Sequence, residues 1–486
     1  MKIITKGNLG HKIPEYYIQT FSLLFFPEDG VFGKKSQSEN FIKIFVNEAH
    51  NFVDISVEIC YNKKTASKSA KTKESRSEDL LTYTGKLFYG AGGEITGIYP
   101  PWGIHTGIRP AKTAGEIFEK NNSDEKKTLD RLRGDYLMSE GKSALALKTY
   151  KNAKAAAGVI GEKDFSLYIS IPFCPTRCRY CSFVSFATPG LLKLIPEYVK
   201  KLTEEIKITG EITRDMKLKT IYIGGGTPTA LEDKFLETIL LSIKENFDFS
   251  NLSEYTAECG RPDTITAQKL ELFKSFGVDR VSVNPQTLND SVLKQIGRPH
   301  TAEDFFKAFE TARKSEIKNI NTDCIIGLTG ESKPSMLETA SALSSLKPEN
   351  ITVHSLCLKK SSELKSSEFE KTLSQSSSGL NETLDDIYEI LSLAGYKPYY
   401  MYRQKYAAGN LENTGFCLDG RECLYNIYMM DELMSIFGAG AGAMTKIVKG
   451  GRIERAANYK YPYEYIGRDF QINSQKNIGK LKILRD

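Results

Sequence analysis

The first part of the chain alternates hydrophobic and polar residues with the period of a half-buried β-strand. Hydrophobic residues occupy every second position from Val53 to Ile59, and the positions between them are polar. This period predicts a strand, and 41–46 is its candidate hairpin partner. Residues 62–78 are rich in Lys, Ser and Thr and have little to bury, so we expect a mobile loop or the entry to a helix there. Over 123–157 the hydrophobic spacing becomes helical.

From residue 165 the pattern changes to a regular alternation of short apolar runs and longer amphipathic stretches. Six apolar runs are predicted as strands, and they are 166–171, 220–223, 255–259, 280–283, 319–326 and 350–356. The stretches between them have helical spacing, and they are 196–208, 232–247, 267–276, 290–296, 302–314 and 335–346. Such alternation predicts a parallel sheet with crossover helices. Six units are fewer than the eight of a complete barrel, so we predict an α/β fold with a partial, open (β/α)6 barrel.

These patterns divide the chain into five predicted segments. They are a small α+β domain over 1–120, a helical connector over 121–164, the partial barrel over 165–358, a linker or flap over 359–380 and a mixed C-terminal domain over 381–486. The last segment carries a predicted helix at 383–393 and a turn of small residues over 437–443.

Composition and charge exclude several classes of protein. Of the 486 residues, 40% are hydrophobic and 26% are charged, which is typical of a globular chain rather than a disordered one. A net charge of +6 is too small for this length to indicate nucleic-acid binding. There is no apolar run of about 18 residues and no signal-peptide pattern, so we expect neither a membrane span nor secretion. Nine cysteines, an odd number, favour reduced thiols or metal ligands over a disulfide framework.

Three of the cysteines stand close together directly after the first predicted barrel strand. Cys174, Cys178 and Cys181 have the spacing C-x3-C-x2-C. Close spacing on one loop lets three thiolates face a soft metal centre. A structural zinc site would need a distant fourth ligand, whereas a [4Fe–4S] cluster would leave its fourth iron open to a small molecule. Three packed, buried thiols are the remaining interpretation.

The cysteine loop resembles that of the radical S-adenosylmethionine (SAM) enzymes, in which C-x3-C-x2-C follows the first strand of a partial barrel. In that superfamily SAM chelates the open iron, and its reductive cleavage yields a 5′-deoxyadenosyl radical. The residues Leu-Tyr-Ile-Ser-Ile-Pro-Phe-Cys at 167–174 are similar to those of the oxygen-independent coproporphyrinogen III oxidases (coproporphyrinogen dehydrogenases), especially the long variant with an extra N-terminal domain. The resemblance covers about residues 165–445 and implies a [4Fe–4S] cluster and SAM as cofactors.

Further motifs match this family in order and spacing. Gly-Gly-Gly-Thr-Pro-Thr at 224–229 follows the second strand, where the family binds the SAM amino group and where glycine permits close backbone approach. Taken singly, each matching polar residue is more often an ordinary strand-end hydrogen bond or salt bridge, but together they converge on the C-terminal face of one barrel. The SAM-site residues implied by the resemblance are Tyr168, Tyr180, Ser182, Gly225, Gly226, Thr227, Glu258, Gln286, Arg298, Asp323 and Cys357.

The chain departs from the family at three points. Phe183 stands where members often carry another Cys, and Ser170 stands where they often carry His. A strand that usually ends Gly-Leu-Pro ends Gly-Leu-Thr at 327–329. These departures leave the cluster and SAM motifs intact and concern a second SAM-like site and the substrate.

The resemblance implies oxygen-independent oxidative decarboxylation of two propionates of coproporphyrinogen III to give protoporphyrinogen IX in porphyrin and haem biosynthesis. It also implies a low-potential electron donor such as flavodoxin or ferredoxin and a reducing, anaerobic cytoplasm. Arginine suits propionate binding because its guanidinium contacts a carboxylate at two points. The candidates are Arg109, Arg177, Arg179, Arg403 and Arg421.

Three other functions stay open at this point. A haem-binding chaperone shares the barrel and the cluster, but such relatives carry a His-Asn-x-x-Tyr-Trp-like stretch where residues 423–429 of this chain have no His. The others are a radical SAM enzyme with a different substrate and a zinc-stabilised binding module. His300 and His354 lie near the predicted mouth of the barrel, and we expect structural roles for both.

Overall fold

The structure is a computed structural model that describes residues 1–26, 38–181, 187–357, 377–404 and 407–467. The chain forms two compact units. The first consists of Met1–Tyr150, Ser366–Asp385 and Tyr402–Glu412, and the second of Lys151–Lys365, Asp386–Met401 and Asn413–Asp486. No helix within the described ranges is both long and apolar enough to cross a membrane.

The N-terminal part of the first unit is a four-stranded sheet with two helices. Its elements are β1 (Lys2–Lys6), α1 (Glu15–Phe25), β2 (Phe41–Ala49), β3 (Phe52–Tyr61), β4 (Lys64–Thr72) and α2 (Ser77–Thr96). The strands follow each other in chain order across the sheet, with β1 parallel to β2 and the other pairs antiparallel. Every second residue from Val53 to Ile59 is at most 1% exposed. The predicted strand and its hairpin partner are therefore confirmed.

Two expectations for this unit are corrected. Residues 62–78, expected to form a loop or the entry to a helix, contain β4. A strand at the end of the sheet order needs few apolar residues, because only inward positions such as Ala66 and Thr72 are buried. The stretch 123–157 forms two helices because Leu137 takes a left-handed conformation, with φ of 56°, and ends the first. The helices from residue 110 to residue 157 are α3 (Pro110–Lys120), α4 (Glu125–Tyr136) and α5 (Glu140–Ala157).

Residues 164–457 contribute a second sheet, with eleven strands in the described ranges. The strands are β5 (Asp164–Ile171), β6 (Lys217–Gly225), β7 (Glu254–Glu258), β8 (Arg280–Ser282), β9 (Asn319–Ile326), β10 (Asn350–Ser355), β11 (Lys397–Arg403), β12 (Glu412–Cys417), β13 (Ser435–Ala439), β14 (Met444–Lys449) and β15 (Arg452–Ala457). The helices are α6 (Pro189–Leu192), α7 (Ile195–Ile212), α8 (Asp233–Asn246), α9 (Ala267–Ser275), α10 (Asp290–Gln295), α11 (Ala302–Lys314), α12 (Lys333–Ser345), α13 (Ser377–Leu393), α14 (Leu424–Asp431) and α15 (Pro462–Gly467).

The central strands of this sheet form the predicted barrel. Each neighbouring pair from β5 to β10 is parallel, and at least one helix lies between consecutive strands. Seven of the eight residues of β5 are buried, because parallel strands in such folds are covered on both faces. The α/β fold with a partial (β/α)6 barrel is confirmed.

Strands from the C-terminal part of the chain continue the barrel sheet at both ends. β13 pairs in parallel with β5, and β12 pairs antiparallel with β10. The residues 437–443, predicted as a turn, therefore begin inside β13, and a left-handed conformation first occurs at Gly440, with φ of 99°. Helix α13 begins six residues before the predicted start at 383. The predicted linker lies outside the described residues from 359 to 376, and the five-segment division of the chain stays a prediction.

One buried carboxylate anchors α14 at the N-terminal ends of the barrel strands. Glu254, the first residue of β7, is 4% exposed. It accepts hydrogen bonds from the backbone N–H groups of Leu424 at 2.8 Å and Tyr425 at 3.2 Å, and from Cys423 Sγ at 3.2 Å. Arg280 Nη2 lies 3.5 Å from its Oε2. The same carboxylate thus caps a helix and balances a buried guanidinium.

We predict that Glu254→Ala lowers the free energy of unfolding by roughly 3–5 kcal/mol, because it leaves the buried charge of Arg280 uncompensated. Urea denaturation followed by circular dichroism measures the change. Glu245→Ala, at an exposed position of α8, is the matched control and should change stability by less than about 0.5 kcal/mol. Equally small effects of both substitutions would contradict the anchoring role.

Candidate functional site

The candidate site lies at the carboxyl ends of the barrel strands and begins with the loop that follows β5. Cys174 and Cys181 are half-buried in this loop, and Cys178 is buried. The backbone N–H of Cys181 donates to the carbonyl oxygen of Cys178 at 3.0 Å, so these two cysteines share one tight turn. Three thiols therefore stand on one loop at the barrel end where functional groups collect.

A single metal ion has no preformed site among the described residues. In the described part of the chain, no three His, Cys, Asp or Glu side chains are placed to hold one metal ion. The zinc interpretation, which needs a fourth ligand, has no support in these residues. An iron–sulfur cluster distributes its cysteine ligands over separate irons, so a donor set of three thiolates spread along a loop fits it.

The glycine loop after β6 lies directly against the cysteine loop. The backbone N–H of Gly226 donates to the carbonyl oxygen of Ile171, and that of Thr227 donates to the carbonyl oxygen of Phe173, both at 2.7 Å. A Cβ atom on Gly226 would lie 2.5 Å from the oxygen of Phe173, and Gly225 has a φ of 107°. Only glycine permits this approach. The contact also brings Thr227 Oγ1 to 3.4 Å from Cys174 Sγ.

Glu258 ends β7 beside the glycine loop. Tyr222 donates its hydroxyl hydrogen to Glu258 Oε1 at 2.6 Å. Burial raises the pKa of Glu258 to about 7, and the negative charge of Asp323 contributes to this rise. At neutral pH this carboxyl group therefore titrates, which is unusual for glutamate.

Asp323 lies in β9 within a network of amides. Asn284 Nδ2 donates to Oδ2 at 2.7 Å, and Asn321 Nδ2 donates to Oδ1 at 2.8 Å. His354 Nε2 lies 3.7 Å from Oδ2. Burial opposes the ionisation of Asp323, but His354 and Asn321 outweigh it and lower the pKa. Asp323 is therefore the more acidic of the two carboxyl groups, and its negative charge helps to raise the pKa of Glu258.

Gln286 offers an acceptor without a partner. Its backbone has a φ of 71°, a rare conformation for a residue other than glycine. Its N–H donates to the carbonyl oxygen of Asp323 at 3.1 Å, which holds it beside β9. Among the described residues, the buried Oε1 atom of Gln286 has no hydrogen-bond donor. Since buried polar atoms are normally paired, this oxygen and the glycine loop fit a bound ligand with N–H or O–H groups, as SAM has.

Arg298 holds the end of the cysteine loop. Its Nη1 donates to the carbonyl oxygens of Gly260 at 3.0 Å and Asn284 at 2.9 Å, and its Nη2 donates to the hydroxyl of Tyr180 at 3.1 Å. Burial raises the pKa of Tyr180, so the hydroxyl stays protonated. The sequence implied a SAM contact for Arg298, and the structure adds an anchoring role between strand ends and loop.

Tyr168 stacks with two other tyrosines inside the barrel. The ring centroids of Tyr168 and Tyr222 are 6.2 Å apart, and those of Tyr222 and Tyr425 are 4.5 Å apart. Burial raises the pKa of Tyr168, which keeps this side chain neutral. Tyr222 thereby links the aromatic stack to the carboxylate of Glu258.

The remaining predicted residues are less informative. Cys357 is half-buried and lies two residues beyond the end of β10, and its place in a SAM pocket stays a prediction. Ser182 and Phe183 lie outside the described residues. Sequence reasoning missed His354 as a neighbour of Asp323, and it missed Arg261, which donates to the cysteine loop. The only sequence signal for either was its position at or just beyond the end of a barrel strand.

We predict that Gly226→Ala impairs cluster incorporation, because the added methyl group displaces Phe173 and with it the cysteine loop. Iron and acid-labile sulfide per chain after anaerobic reconstitution provide the measurement, and the content should fall below about half of the wild-type value. Gly190→Ala is the control, because a Cβ atom there meets no atom within 4 Å. A full complement of iron in Gly226→Ala would refute the role of the close approach.

We predict that SAM binds more weakly as the pH falls from about 8 to about 6, because Glu258 becomes neutral below its pKa of about 7 while SAM carries positive charge. Anaerobic calorimetry on the reconstituted protein measures the affinity. Glu258→Gln should bind SAM weakly at every pH and lose this dependence. A wild-type affinity that stays constant over the range would argue against a contact with ionised Glu258.

Comparisons with known proteins identify the family of this chain. The sequence profile of the radical SAM superfamily matches residues 168–343. The chain is 37% identical over 377 residues to the oxygen-independent coproporphyrinogen-III oxidase-like protein HemZ of Bacillus subtilis, covering 76% of this chain and 75% of that protein. It is 32% identical over 283 residues to the heme chaperone HemW of Lactococcus lactis, covering 58% and 69%.

Among solved structures, coproporphyrinogen III oxidase (HemN) from Escherichia coli, a radical SAM enzyme, matches with a TM-score of 0.49 at 20% identity, covering 66% of this chain and 72% of that one. The superfamily profile spans the cysteine loop, the glycine loop and strands β6 to β9. The profile match and the 37% identity to HemZ, of which the alignment covers 75%, show where this chain belongs. It is a member of the radical SAM superfamily and, within it, of the family of oxygen-independent coproporphyrinogen-III oxidase-like proteins.

Proposed function

We propose that this protein catalyses the oxygen-independent oxidative decarboxylation of two propionates of coproporphyrinogen III to give protoporphyrinogen IX. Each propionate becomes a vinyl group by losing CO2, one hydrogen atom, which a carbon radical takes up, and one electron, which must pass to a separate one-electron acceptor. The observation that carries the proposal is the cysteine loop at the end of a partial barrel, which accepts backbone hydrogen bonds from the glycine loop. The chain is also 37% identical to a coproporphyrinogen-III oxidase-like protein.

Membership of the radical SAM superfamily implies a [4Fe–4S] cluster and SAM, which together supply hydrogen-atom abstraction by a carbon radical. Cys174, Cys178 and Cys181 would hold the cluster, and the glycine loop would let the SAM backbone groups approach the chain. Glu258 and Asp323 provide negative charge for a ligand that carries a sulfonium and an ammonium group. The protein's part is to position these groups and to exclude water.

The proposed substrate needs cations for its propionates, and the candidate arginines differ in burial and in existing contacts. Arg403 is 5% exposed and donates to the carbonyl oxygens of His105 and Asn410, so its guanidinium is already used. Arg421 Nη1 lies 3.4 Å from the side-chain oxygen of Asn319, the first residue of β9. It therefore stands at the opposite end of the strands from the cysteine loop. Arg177 and Arg179 are exposed on the cysteine loop itself, at the end of the strands that the proposal needs, and Arg179 Nη1 also donates to the carbonyl oxygen of Gln295 at 3.2 Å.

We also propose a low-potential electron donor such as flavodoxin or ferredoxin, and a reducing cytoplasm as the location. A cluster on a loop with exposed residues, such as Thr176 and Arg177, would be open to reduction by a partner and to damage by oxygen. We propose no contact with nucleic acid, since the net charge is only +6.

A second candidate function is carrying haem, which is favoured by the similarity to proteins named heme chaperone HemW. A haem carrier needs an accessible axial ligand for the iron. In the stretch where the sequence resemblance places the chaperone motif, Cys423 is 3% exposed and donates to Glu254. This burial favours the enzymatic proposal over the chaperone.

Anaerobic turnover tests the proposal. The reconstituted protein receives coproporphyrinogen III, SAM and a chemical reductant, and both protoporphyrinogen IX and 5′-deoxyadenosine should form. Deoxyadenosine alone would indicate a radical SAM enzyme with another substrate. Neither product, from protein with a full cluster that binds haem tightly, would support the chaperone.

We predict that Cys178→Ala abolishes deoxyadenosine formation, with a rate at least ~100-fold lower, because one iron loses its protein ligand. Cys60→Ala is the matched control, since Cys60 lies in β3 of the first unit and should leave iron content and turnover unchanged. If Cys178→Ala had the same cluster content and the same turnover rate as the wild-type protein, the ligand assignment would be refuted.

A further inference from the structure

Arg261 lies just beyond the C-terminal end of β7 and contacts the cysteine loop. It lies three residues beyond Glu258, and its side chain is 3% exposed. Nη2 donates to Thr176 Oγ1 at 2.9 Å, and Nη1 donates to the carbonyl oxygen of Thr176 at 3.2 Å. Nη1 also donates to Cys178 Sγ at 3.8 Å. A buried cation thus touches a cysteine that the site assigns to the cluster.

The guanidinium is locked in this orientation. Asp263 accepts from Nε at 3.0 Å and from Nη2 at 3.2 Å, a two-point contact that fixes the plane of the group. A guanidinium has five N–H donors, and here two face Asp263, two face Thr176 and one faces Cys178. The backbone is held as well, because the carbonyl oxygen of Arg261 accepts from the N–H and the hydroxyl of Thr264 at 3.0 and 2.8 Å.

We propose that Arg261 is a positioning residue that presents Cys178 to the cluster and raises the reduction potential of the cluster. A cationic N–H directed at a ligating sulfur favours the cluster form that carries one more electron, and hydrogen bonds to sulfur are among the factors that set such potentials. The contact to Thr176, two residues before Cys178, fixes where that sulfur stands. The inference rests on cluster ligation by Cys178 and is independent of the tetrapyrrole substrate.

Two substitutions separate the charge of Arg261 from its geometry. Arg261→Gln removes the cation, and Arg261→Lys keeps the charge but loses the planar fork that contacts Asp263, Thr176 and Cys178 together. Arg313→Gln is the matched control, because Arg313 lies on α11, away from the cysteine loop, and its guanidinium pairs with Glu349.

The measurement is a redox titration of the anaerobically reconstituted cluster, followed by electron paramagnetic resonance without SAM and without substrate. Iron and sulfide per chain are determined on the same samples. We expect the midpoint potential to shift to more negative values in Arg261→Gln, to shift less in Arg261→Lys, and to stay unchanged in Arg313→Gln.

The outcomes are distinct. Arg261→Gln protein that is folded by circular dichroism but takes up no cluster would support the positioning role, and Arg261→Lys would then test the potential. Full cluster content at the wild-type potential in both Arg261 variants would overturn the inference. Failure of the wild-type protein to convert coproporphyrinogen III would leave this result untouched, because no substrate is present.

Discussion

The site depends on a close contact between two backbone segments, the loop that follows β5 and the glycine loop that follows β6. The hydrogen bonds from Gly226 and Thr227 to the cysteine loop, both at 2.7 Å, require that no Cβ atom stands between the chains. Arg261, just beyond β7, and Arg298, beyond β8, hold the same loop from other directions. The three thiols are therefore placed by three neighbouring strand ends, although they lie on a single loop.

Positive and negative side chains occupy different parts of the site, and this division suits its two expected occupants, the iron–sulfur cluster and SAM. The guanidinium groups of Arg261 and Arg298 face the cysteine loop, where thiolates and a cluster concentrate negative charge. The carboxyl groups of Glu258, which lies against Gly224, and of Asp323 suit a cationic ligand. Burial strengthens both effects, because water does not screen these charges.

The sequence predicted the barrel well because its strands are buried on both faces and therefore appear as apolar runs. It missed β4, which is polar because it lies at the end of its sheet order, and β13, whose glycine and alanine residues resemble a turn. Motif resemblance identified Cys174 to Cys181 and the glycine loop, since these residues stand close together in the chain. Arg261 escaped notice because it touches Thr176 and Cys178, about 85 residues earlier, and only the fold brings them together.

In the proposed site, three cysteines hold a cluster whose remaining iron is open to SAM. Mössbauer spectroscopy of the reconstituted protein with isotope-enriched iron tests it most directly. This arrangement predicts that SAM changes the spectrum of one iron site in four and leaves the other three as they were. A spectrum that does not respond to saturating SAM would contradict it, as would a response of all four irons alike.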